Sequence, residues 1–326
     1  MSMPLLLVTG ASGFIGGAVC QTLSKRVRVR AAVRCVPSKQ LGKDVEIVHG
    51  ELLVAFDWTE CLRDVAVIVH CAARVHVQEE RSEDPLAEFR SVNVAGTLEL
   101  AKQAAECGVK RFIFLSSIGV NGAETHGKPY SFDDQSAPHS PYAISKCEAE
   151  LGLQYLATES GMEVVIIRMP LVYGPGAPGN FASLMKWLSS GIPLPLGGVK
   201  RNRRNFVFVD NLVDLIRICL DHPAAANQTF LVSDDEDLST AELLRRMGAA
   251  LGQPARLIPV PISLLKLGAT LLGKPGLAQR LCGSLEVDIS KTRKLLDWVP
   301  PVNVDEGLRI TAEHFLAIER RKRNVS

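Results

Sequence analysis

The chain lacks any apolar run long enough to cross a membrane. Its most apolar stretch, residues 257–273, is interrupted by Pro259, Pro261 and Lys266, whereas a spanning helix needs about 20 apolar residues. The opening residues, 1–8, show neither a basic segment nor a small-residue cleavage site and lead directly into a strand-like run. From these absences we expect a cytoplasmic protein without an integral membrane segment.

An excess of one charge is also missing, and so are metal-binding spacings. Lys plus Arg number 37 and Asp plus Glu number 35, whereas a nucleic-acid-binding protein needs a basic surface. None of the 8 cysteines forms Cys-x-x-Cys, and the 7 histidines form no His-x-x-x-His pair, spacings that zinc sites usually show. We therefore expect no nucleic-acid partner, no metal and free thiols.

Short apolar runs alternate with helix-like stretches through the first half of the chain. Strands are predicted at 5–9, 28–33, 46–49, 65–71, 111–116 and 164–168, and helices over 13–24, 88–107 and 142–160. This alternation is typical of a parallel sheet covered by helices on both faces. We predict an α/β fold with a doubly wound parallel sheet (Rossmann type), whose ligand crevice lies beyond the carboxyl ends of the strands.

The pattern changes after Pro170. Glycine and proline become dense in residues 173–179 and 191–198, and shorter predicted elements follow. These are helices at 181–189, 211–220, 240–251 and 305–323 and strands at 206–209 and 230–232. We predict a dinucleotide-binding domain, residues 1–170, and a smaller α/β substrate lobe, residues 171–326, with some of its segments free to return to the first sheet.

A glycine-rich loop joins the first strand to the first helix. Residues 8–16 read VTGASGFIG, which is Gly-x-x-Gly-x-x-Gly between a strand and a helix. The glycines permit a tight turn, close approach of a pyrophosphate and close helix–strand packing, while the helix N-terminus offers free N–H groups. We predict a dinucleotide phosphate site formed by Gly10, Ser12, Gly13, Phe14, Ile15 and Gly16.

The end of the second strand bears on the choice of dinucleotide. It reads Ala31-Ala32-Val33-Arg34, without the acid that usually binds the adenosine ribose. An arginine can pair with a 2′-phosphate that a carboxylate would repel, so we favour NADP, with NAD as the alternative. We expect Glu51 to meet the adenine amino group, and further cofactor contacts from Leu52, Cys71, Ala72, Ala73 and Pro170.

Tyr142 and Lys146 form a Tyr-x-x-x-Lys motif near the start of a predicted helix. Residues four apart share a helix face with Cβ atoms about 6 Å apart. A neighbouring ammonium and an oxidised nicotinamide would favour phenolate and so lower the pKa of the tyrosine. The tyrosine could then exchange a proton with a substrate hydroxyl as hydride moves at the same carbon. Ser116 or Ser117, at the end of the fifth strand, could bond the reacting oxygen.

These motifs together resemble extended short-chain dehydrogenase/reductases of the nucleotide-sugar epimerase/dehydratase family. The resemblance spans nearly the whole chain and includes 93–97, 115–117, 168–176, 204–211 and 296–300. It implies that Tyr142 is the acid/base, that Lys146 holds the nicotinamide ribose and that Ser117 bonds the substrate oxygen. It also implies a homodimer built from helices near 93–107 and 142–160, and a nucleoside diphosphate sugar bound by Asn180, Arg204 and Arg280.

The residues after Ser117 bear on the reaction. The family's 4,6-dehydratases resemble one another in an Asp-Glu pair here, whereas this chain has Ile118-Gly119. Residues 117–122, with Asn121 where 4-epimerases usually carry tyrosine, are similar to a branch that includes UDP-quinovosamine-forming 4-ketoreductases of O-antigen pathways. We therefore expect a UDP-4-keto-6-deoxy-hexosamine 4-ketoreductase of cell-surface polysaccharide (lipopolysaccharide) synthesis. A UDP-hexose or UDP-N-acetylhexosamine 4-epimerase is the close alternative, and a non-catalytic NADP-binding sensor or scaffold is the third.

Overall fold

The computed structural model describes residues 4–36, 40–75, 84–273 and 275–323 and has the predicted α/β architecture. Its main sheet has seven parallel strands in the order β3-β2-β1-β4-β5-β6-β9. The order in which the strands are added to the sheet reverses between β1 and β4. Folds of this kind bind their ligands at that point. The strands are β1 Leu5–Thr9, β2 Arg28–Val33, β3 Glu46–His49, β4 Val65–His70, β5 Arg111–Ser117, β6 Glu163–Met169 and β9 Thr229–Leu231.

Twelve α-helices are described in these ranges. They are α1 Phe14–Leu23, α2 Thr59–Leu62, α3 Pro85–Phe89, α4 Thr97–Glu106, α5 Pro141–Ser160, α6 Asn180–Ser189, α7 Val209–Cys219, α8 Thr240–Ala250, α9 Ile262–Leu271, α10 Pro275–Cys282, α11 Ser290–Leu296 and α12 Val304–Arg323. The predicted helix 88–107 is confirmed, but its middle, Arg90–Gly96, is a π-helix that joins α3 to α4. No described helix is both long enough and apolar enough to cross a membrane.

The alternating side chains of β1 show why helices cover both faces of the main sheet. Leu6 and Val8 belong to a core that includes residues of α1 and α7. Leu5 and Leu7 belong to a second core, which includes residues of α4 and α5. Successive side chains of a strand point to opposite faces, so a strand buried along its whole length needs a helical layer on each side.

A smaller sheet and a third core form the second lobe. Strands β7 Leu171–Tyr173 and β8 Arg204–Phe208 run parallel, and β10 Asp237–Leu238 pairs antiparallel with β8. Side chains from this sheet pack against α6, α8 and α12. Strand β9 lies in the main sheet and α7 packs against α1, so later segments of the chain re-enter the first core. The division at residue 170 stays a prediction.

Candidate functional site

The helix that carries Tyr142 and Lys146 has well-defined ends. The Ser140 hydroxyl accepts a hydrogen bond from the Ala143 N–H over 3.2 Å, and Pro141 occupies the first turn. Gly161 ends the helix with φ of 73°, in the left-handed region that favours glycine. These caps position α5 so that Tyr142 and Lys146 lie in its first turns, beside the carboxyl ends of β4 and β5.

Tyr142 lines the wall of the main cleft and packs edge-on against Phe89, with 6.1 Å between ring centroids. Burial raises the pKa of Tyr142 to about 12, because a buried phenolate loses its hydration. The protein's own groups therefore shift this pKa in the direction opposite to the sequence-based expectation. That expectation gave weight to the neighbouring ammonium and to the nicotinamide and omitted desolvation.

Lys146 is buried behind the tyrosine, with 2% of its surface exposed. Its Nζ lies 4.0 Å from the centroid of the Phe114 ring. Burial lowers the pKa of Lys146 to about 7, and the negative charge of Glu150 opposes that shift only in part. The amine is therefore held in a dry environment, in contact with an aromatic face.

A buried ion pair lies one helical turn beyond Lys146. Glu150 accepts from Arg168 over 2.7 Å, and the two side chains are 3% and 8% exposed. The Ser116 hydroxyl also donates to Glu150, and Arg168 donates to Asn121 over 3.0 Å. Both serines border the main cleft, but Ser116 is fully buried and bonds Glu150, whereas Ser117 is half-buried and accepts from the Gly119 N–H over 3.1 Å.

The glycine loop is shaped for an anion. Gly10 has φ of 64°, and a Cβ there would lie 2.7 Å from the Ala72 nitrogen, so β1 and the segment after β4 meet backbone to backbone. Gly13 caps α1 without a side-chain hydrogen bond, and the first turn holds no acid. The first N–H groups of α1 therefore fit a pyrophosphate. Within the predicted set, Ser12 is exposed, Phe14 and Ile15 are half-buried and Gly16 is buried.

His70, at the end of β4, was missed because residues 65–71 were treated as an apolar run. Its two ring nitrogens hydrogen-bond the hydroxyls of Thr9 (2.8 Å) and Thr97 (3.0 Å). Burial and the charge of Lys146 lower the pKa of His70 to about 3, so its ring is neutral. The Ala72 N–H donates to Thr9 over 3.3 Å. This cluster fixes the predicted contacts Cys71, Ala72 and Ala73 beside the glycine loop.

Asn93 is a second residue that sequence reasoning did not assign. It lies in the π-helical segment, accepts from the Arg74 N–H over 2.7 Å, and donates to the Arg74 carbonyl and to the Ser145 hydroxyl over 3.0 Å each. It thus ties the segment after β4 to α5. A π-helical turn is frequently found at functional sites, but nothing in the apolar spacing of 88–107 signals one.

The predicted adenosine contacts lie at the ends of the next two strands. Arg34 is exposed immediately after β2, and no ion pair involves it within the described ranges. Glu51 follows β3 and is half-buried, and Leu52 is buried against Gly96. Because β1, β2 and β3 are consecutive parallel strands of the main sheet, these residues lie along the same edge of the sheet as the glycine loop.

A cleft of about 590 Å³ lies between the ends of β5 and β6 and the second lobe, and its lining includes Ser117, Tyr142, Pro170, Arg204 and Arg280 but none of the predicted glycine-loop or adenosine contacts. Arg204 donates to the Gly283 carbonyl over 3.1 Å. Burial lowers the pKa of Arg204, Glu124 opposes that shift, and Arg280 adds to it. The positive charges of Arg204 and Arg280 are therefore close enough to repel each other. A polyanion that contacts both side chains would relieve this repulsion. Asn180 begins α6, but its side chain lies outside the described residues.

Comparison with known proteins identifies relatives along the whole chain. A family profile described as "NAD dependent epimerase/dehydratase family" matches residues 6–233. The chain is 48% identical over 319 residues to a UDP-glucose 4-epimerase of Vibrio cholerae, with 97% of each chain covered. It is 25% identical to the N-acetyl-alpha-D-glucosaminyl-diphospho-ditrans,octacis-undecaprenol 4-epimerase of Escherichia coli O157:H7, covering 95% of this chain and 94% of the relative.

Solved structures show the same fold at lower identity. The UDP-glucose 4-epimerase of Thermotoga maritima with UDP-glucose matches with a TM-score of 0.79 and 24% identity, over 97% of this chain and 99% of the other. The UDP-glucuronic acid 4-epimerase of Bacillus cereus in complex with NAD matches with a TM-score of 0.79 and 22% identity, over 97% and 98%. At these identities the likeness concerns the fold.

Proposed function

Because the chain belongs to the NAD dependent epimerase/dehydratase family of extended short-chain dehydrogenase/reductases, we propose that this enzyme oxidises or reduces C4 of a UDP-sugar. One observation carries the proposal. Ser117 and Tyr142 face the same cleft as Arg204 and Arg280, with Lys146 buried directly behind the tyrosine. A proton-transfer group and a pair of cations for a diphosphate thus share one space.

The chain's own residues suit the two halves of a C4 reduction. NAD(P)H, when bound, supplies the hydride. The loop Gly10–Gly16 offers the site for the pyrophosphate of this cofactor. Tyr142 is protonated at neutral pH, since burial raises its pKa to about 12, so it can deliver a proton to the C4 oxygen and be reprotonated from solvent. Ser117 holds that oxygen, Lys146 holds the nicotinamide ribose, and Arg204 and Arg280 bind the diphosphate.

We infer more specifically a UDP-4-keto-6-deoxy-hexosamine 4-ketoreductase of the quinovosamine type that uses NADPH and acts in cell-surface polysaccharide synthesis. Arg34 supports this choice, because it is exposed immediately after β2 and the strand ends without an acid. The second candidate is an NAD-dependent UDP-hexose 4-epimerase. The 48% identity to the Vibrio cholerae relative supports that candidate. An inactive sensor is disfavoured because Ser117, Tyr142 and Lys146 are all present.

The decisive experiment combines purified protein with UDP-4-keto-6-deoxy-N-acetylglucosamine and NADPH. Loss of reduced-nicotinamide absorbance, equal to the amount of sugar converted, supports reduction. No loss, together with interconversion of UDP-glucose and UDP-galactose or of their N-acetylated forms, would establish epimerisation. If Tyr142→Phe lowers turnover at least about 10²-fold and Tyr155→Phe, on the exposed side of α5, leaves it unchanged, the site is assigned. Near-normal turnover of Tyr142→Phe would refute it.

We also propose that the enzyme is a homodimer formed through α4 and α5. Leu151 and Tyr155 are 62% and 68% exposed on α5, so this helix offers apolar side chains to a second copy. Light scattering on the purified protein should give twice the chain mass, and Leu151→Asp should give the single mass. A monomeric parent, or a variant that stays dimeric, would overturn the proposal.

A further inference from the structure

Helix α9 presents leucines to solvent. Leu264, Leu267, Leu271 and the adjoining Leu272 are 56%, 56%, 79% and 77% exposed, and we call them the leucine face. Positions 264, 267 and 271 follow the spacing that places side chains on one side of a helix. The other side, with Ile262 and Leu265, packs against the core of the second lobe. A helix that is apolar on both sides is normally covered on both, and exposed apolar patches mark interaction sites.

The surroundings of the leucine face carry positive charge. Residues 164–209 and 243–285 contain no aspartate or glutamate, and each range holds six lysines or arginines, of which Arg168, Arg203 and Arg246 pair with acids from elsewhere in the chain. The two ranges are neighbours in space, since Leu194 and the segment of Arg256 and Ile258 exchange backbone hydrogen bonds of 2.8 Å. Within the described ranges Lys186, Arg256 and Lys266 are exposed and form no ion pair. The chain as a whole is nearly neutral, at +2, so its acids are concentrated elsewhere.

We propose that the leucine face and these cations dock the second lobe on the surface of an anionic phospholipid bilayer. Exposed leucines on a helix that lies flat can enter the boundary between headgroups and acyl chains, and flanking lysines and arginines pair with anionic lipids. A second copy of the chain fits less well, because it would bring the exposed cations Lys186, Arg256 and Lys266 of two copies together. The charge of the lobe therefore selects the bilayer.

Docking would also orient the substrate cleft. Helix α10 packs against α9 and carries Arg280 and Leu281, which line the cleft. Trp187, on α6 beside Lys186, is half exposed and lines the cleft as well. Part of the cleft wall is thus built by α10, which packs against α9, so the docked enzyme would hold its cleft close to the membrane surface.

The test is co-sedimentation of the full chain with vesicles at low ionic strength. Vesicles of equimolar phosphatidylglycerol and phosphatidylcholine should bind the protein at least about tenfold more strongly than phosphatidylcholine alone, and salt should weaken the binding by screening. The combined variant Leu264→Ser, Leu267→Ser, Leu271→Ser should lose about tenfold or more in binding, because the apolar area is removed. A matched variant, Ile47→Ser with Val299→Ser, changes exposed aliphatic side chains elsewhere and should bind like the parent.

Absence of binding to the anionic vesicles would overturn the proposal, and so would equal binding by the serine variant. If the serine variant instead lowers the mass of the protein in solution, the leucine face contacts a second copy and the bilayer is excluded. The vesicle measurement needs no substrate. It therefore stands apart from the C4 assay, in which the serine variant should turn over soluble nucleotide sugar at the parent's rate.

Discussion

We expect the ion pair of Glu150 and Arg168 to contribute little to the net free energy of unfolding. Replacing only one of the two residues should nevertheless be strongly destabilising. Replacing Glu150 by methionine would leave the Arg168 guanidinium buried without its carboxylate, although the hydrogen bond that it donates to Asn121 would remain. It would also remove the acceptor of the Ser116 hydroxyl. Replacing both members by methionine removes the charges together and keeps most of the side-chain volume.

The size of the effect follows from burial. Breaking a buried pair by removing one partner costs about 3–5 kcal/mol, because the other charge is left uncompensated, whereas replacing both partners by apolar side chains is often neutral or better. With side chains 3% and 8% exposed, this pair falls in that class. The pair of Arg309 and Glu306 is 50% and 44% exposed, so solvent screens it and Glu306→Met should cost much less than Glu150→Met.

The assay is urea unfolding of the parent, Glu150→Met, Arg168→Met and the double variant, followed by tryptophan fluorescence. Trp58 and Trp298 are both buried, and they belong to the two cores of the main sheet, so unfolding on either face is reported. The single variants should lose about 3 kcal/mol or more each, and the double variant should be more stable than either. Single losses below about 1 kcal/mol, or losses that simply add, would refute the reasoning.

Three further predictions concern acid stability, the glycine loop and cofactor choice. An unfolded histidine binds a proton below about pH 6.5, whereas His70 stays neutral in the folded protein down to about pH 3. The free energy of unfolding should therefore fall with acid in this window by up to about 1.4 kcal/mol per pH unit. In His70→Asn the urea midpoint should depend less on pH, and an unchanged dependence would contradict the reasoning. Gly16→Ala places a Cβ 2.7 Å from a backbone carbon of Gly10 and should weaken dinucleotide binding in a fluorescence titration. Gly17→Ala places its Cβ 3.4 Å from the nearest backbone atom and should instead raise the free energy of unfolding by about 0.5–1 kcal/mol. Equal effects of the two variants would refute the packing argument. Arg34→Ala should raise the KM for NADPH at least about tenfold and leave the KM for NADH unchanged. Arg28→Ala, at the other end of β2, is the control. A similar rise of the KM for both cofactors would refute a contact between Arg34 and the 2′-phosphate.

Much of the fold could be predicted because the relevant signals are local. The run Leu5–Thr9 and the spacing Gly10–Gly16 each specify an element within a few residues, and the structure has those elements. The return of β9 to the main sheet carries no such signal, since the three residues Thr229–Leu231 pair with a strand more than 60 positions earlier. Pairing at that distance depends on the packing of the intervening lobe.

The interior of the site was harder to predict, because its polar residues pair across the fold. Glu150 stands four positions after Lys146, so its place on the same helix face could have been read from the sequence. Its partner Arg168 lies on β6, and the pair is formed by the packing of α5 on the sheet. His70 was hidden in an apolar strand for the same reason, since its partners Thr9 and Thr97 come from β1 and α4.

The electrostatics of the site bear on how Tyr142 exchanges its proton. Burial places the pKa of Tyr142 at about 12 and that of Lys146 at about 7, so the protein's own groups hold a protonated phenol beside an amine that loses its proton near neutrality. Reduction of a ketone needs a proton donor at the oxygen, and the protonated phenol supplies it. Oxidation of an alcohol, with which epimerisation begins, first requires that phenol to lose its proton, and burial opposes that step. Reduction leaves the same phenolate behind, so burial disfavours that state in both directions, and the positive charge of an oxidised nicotinamide would be needed to lower the pKa of Tyr142.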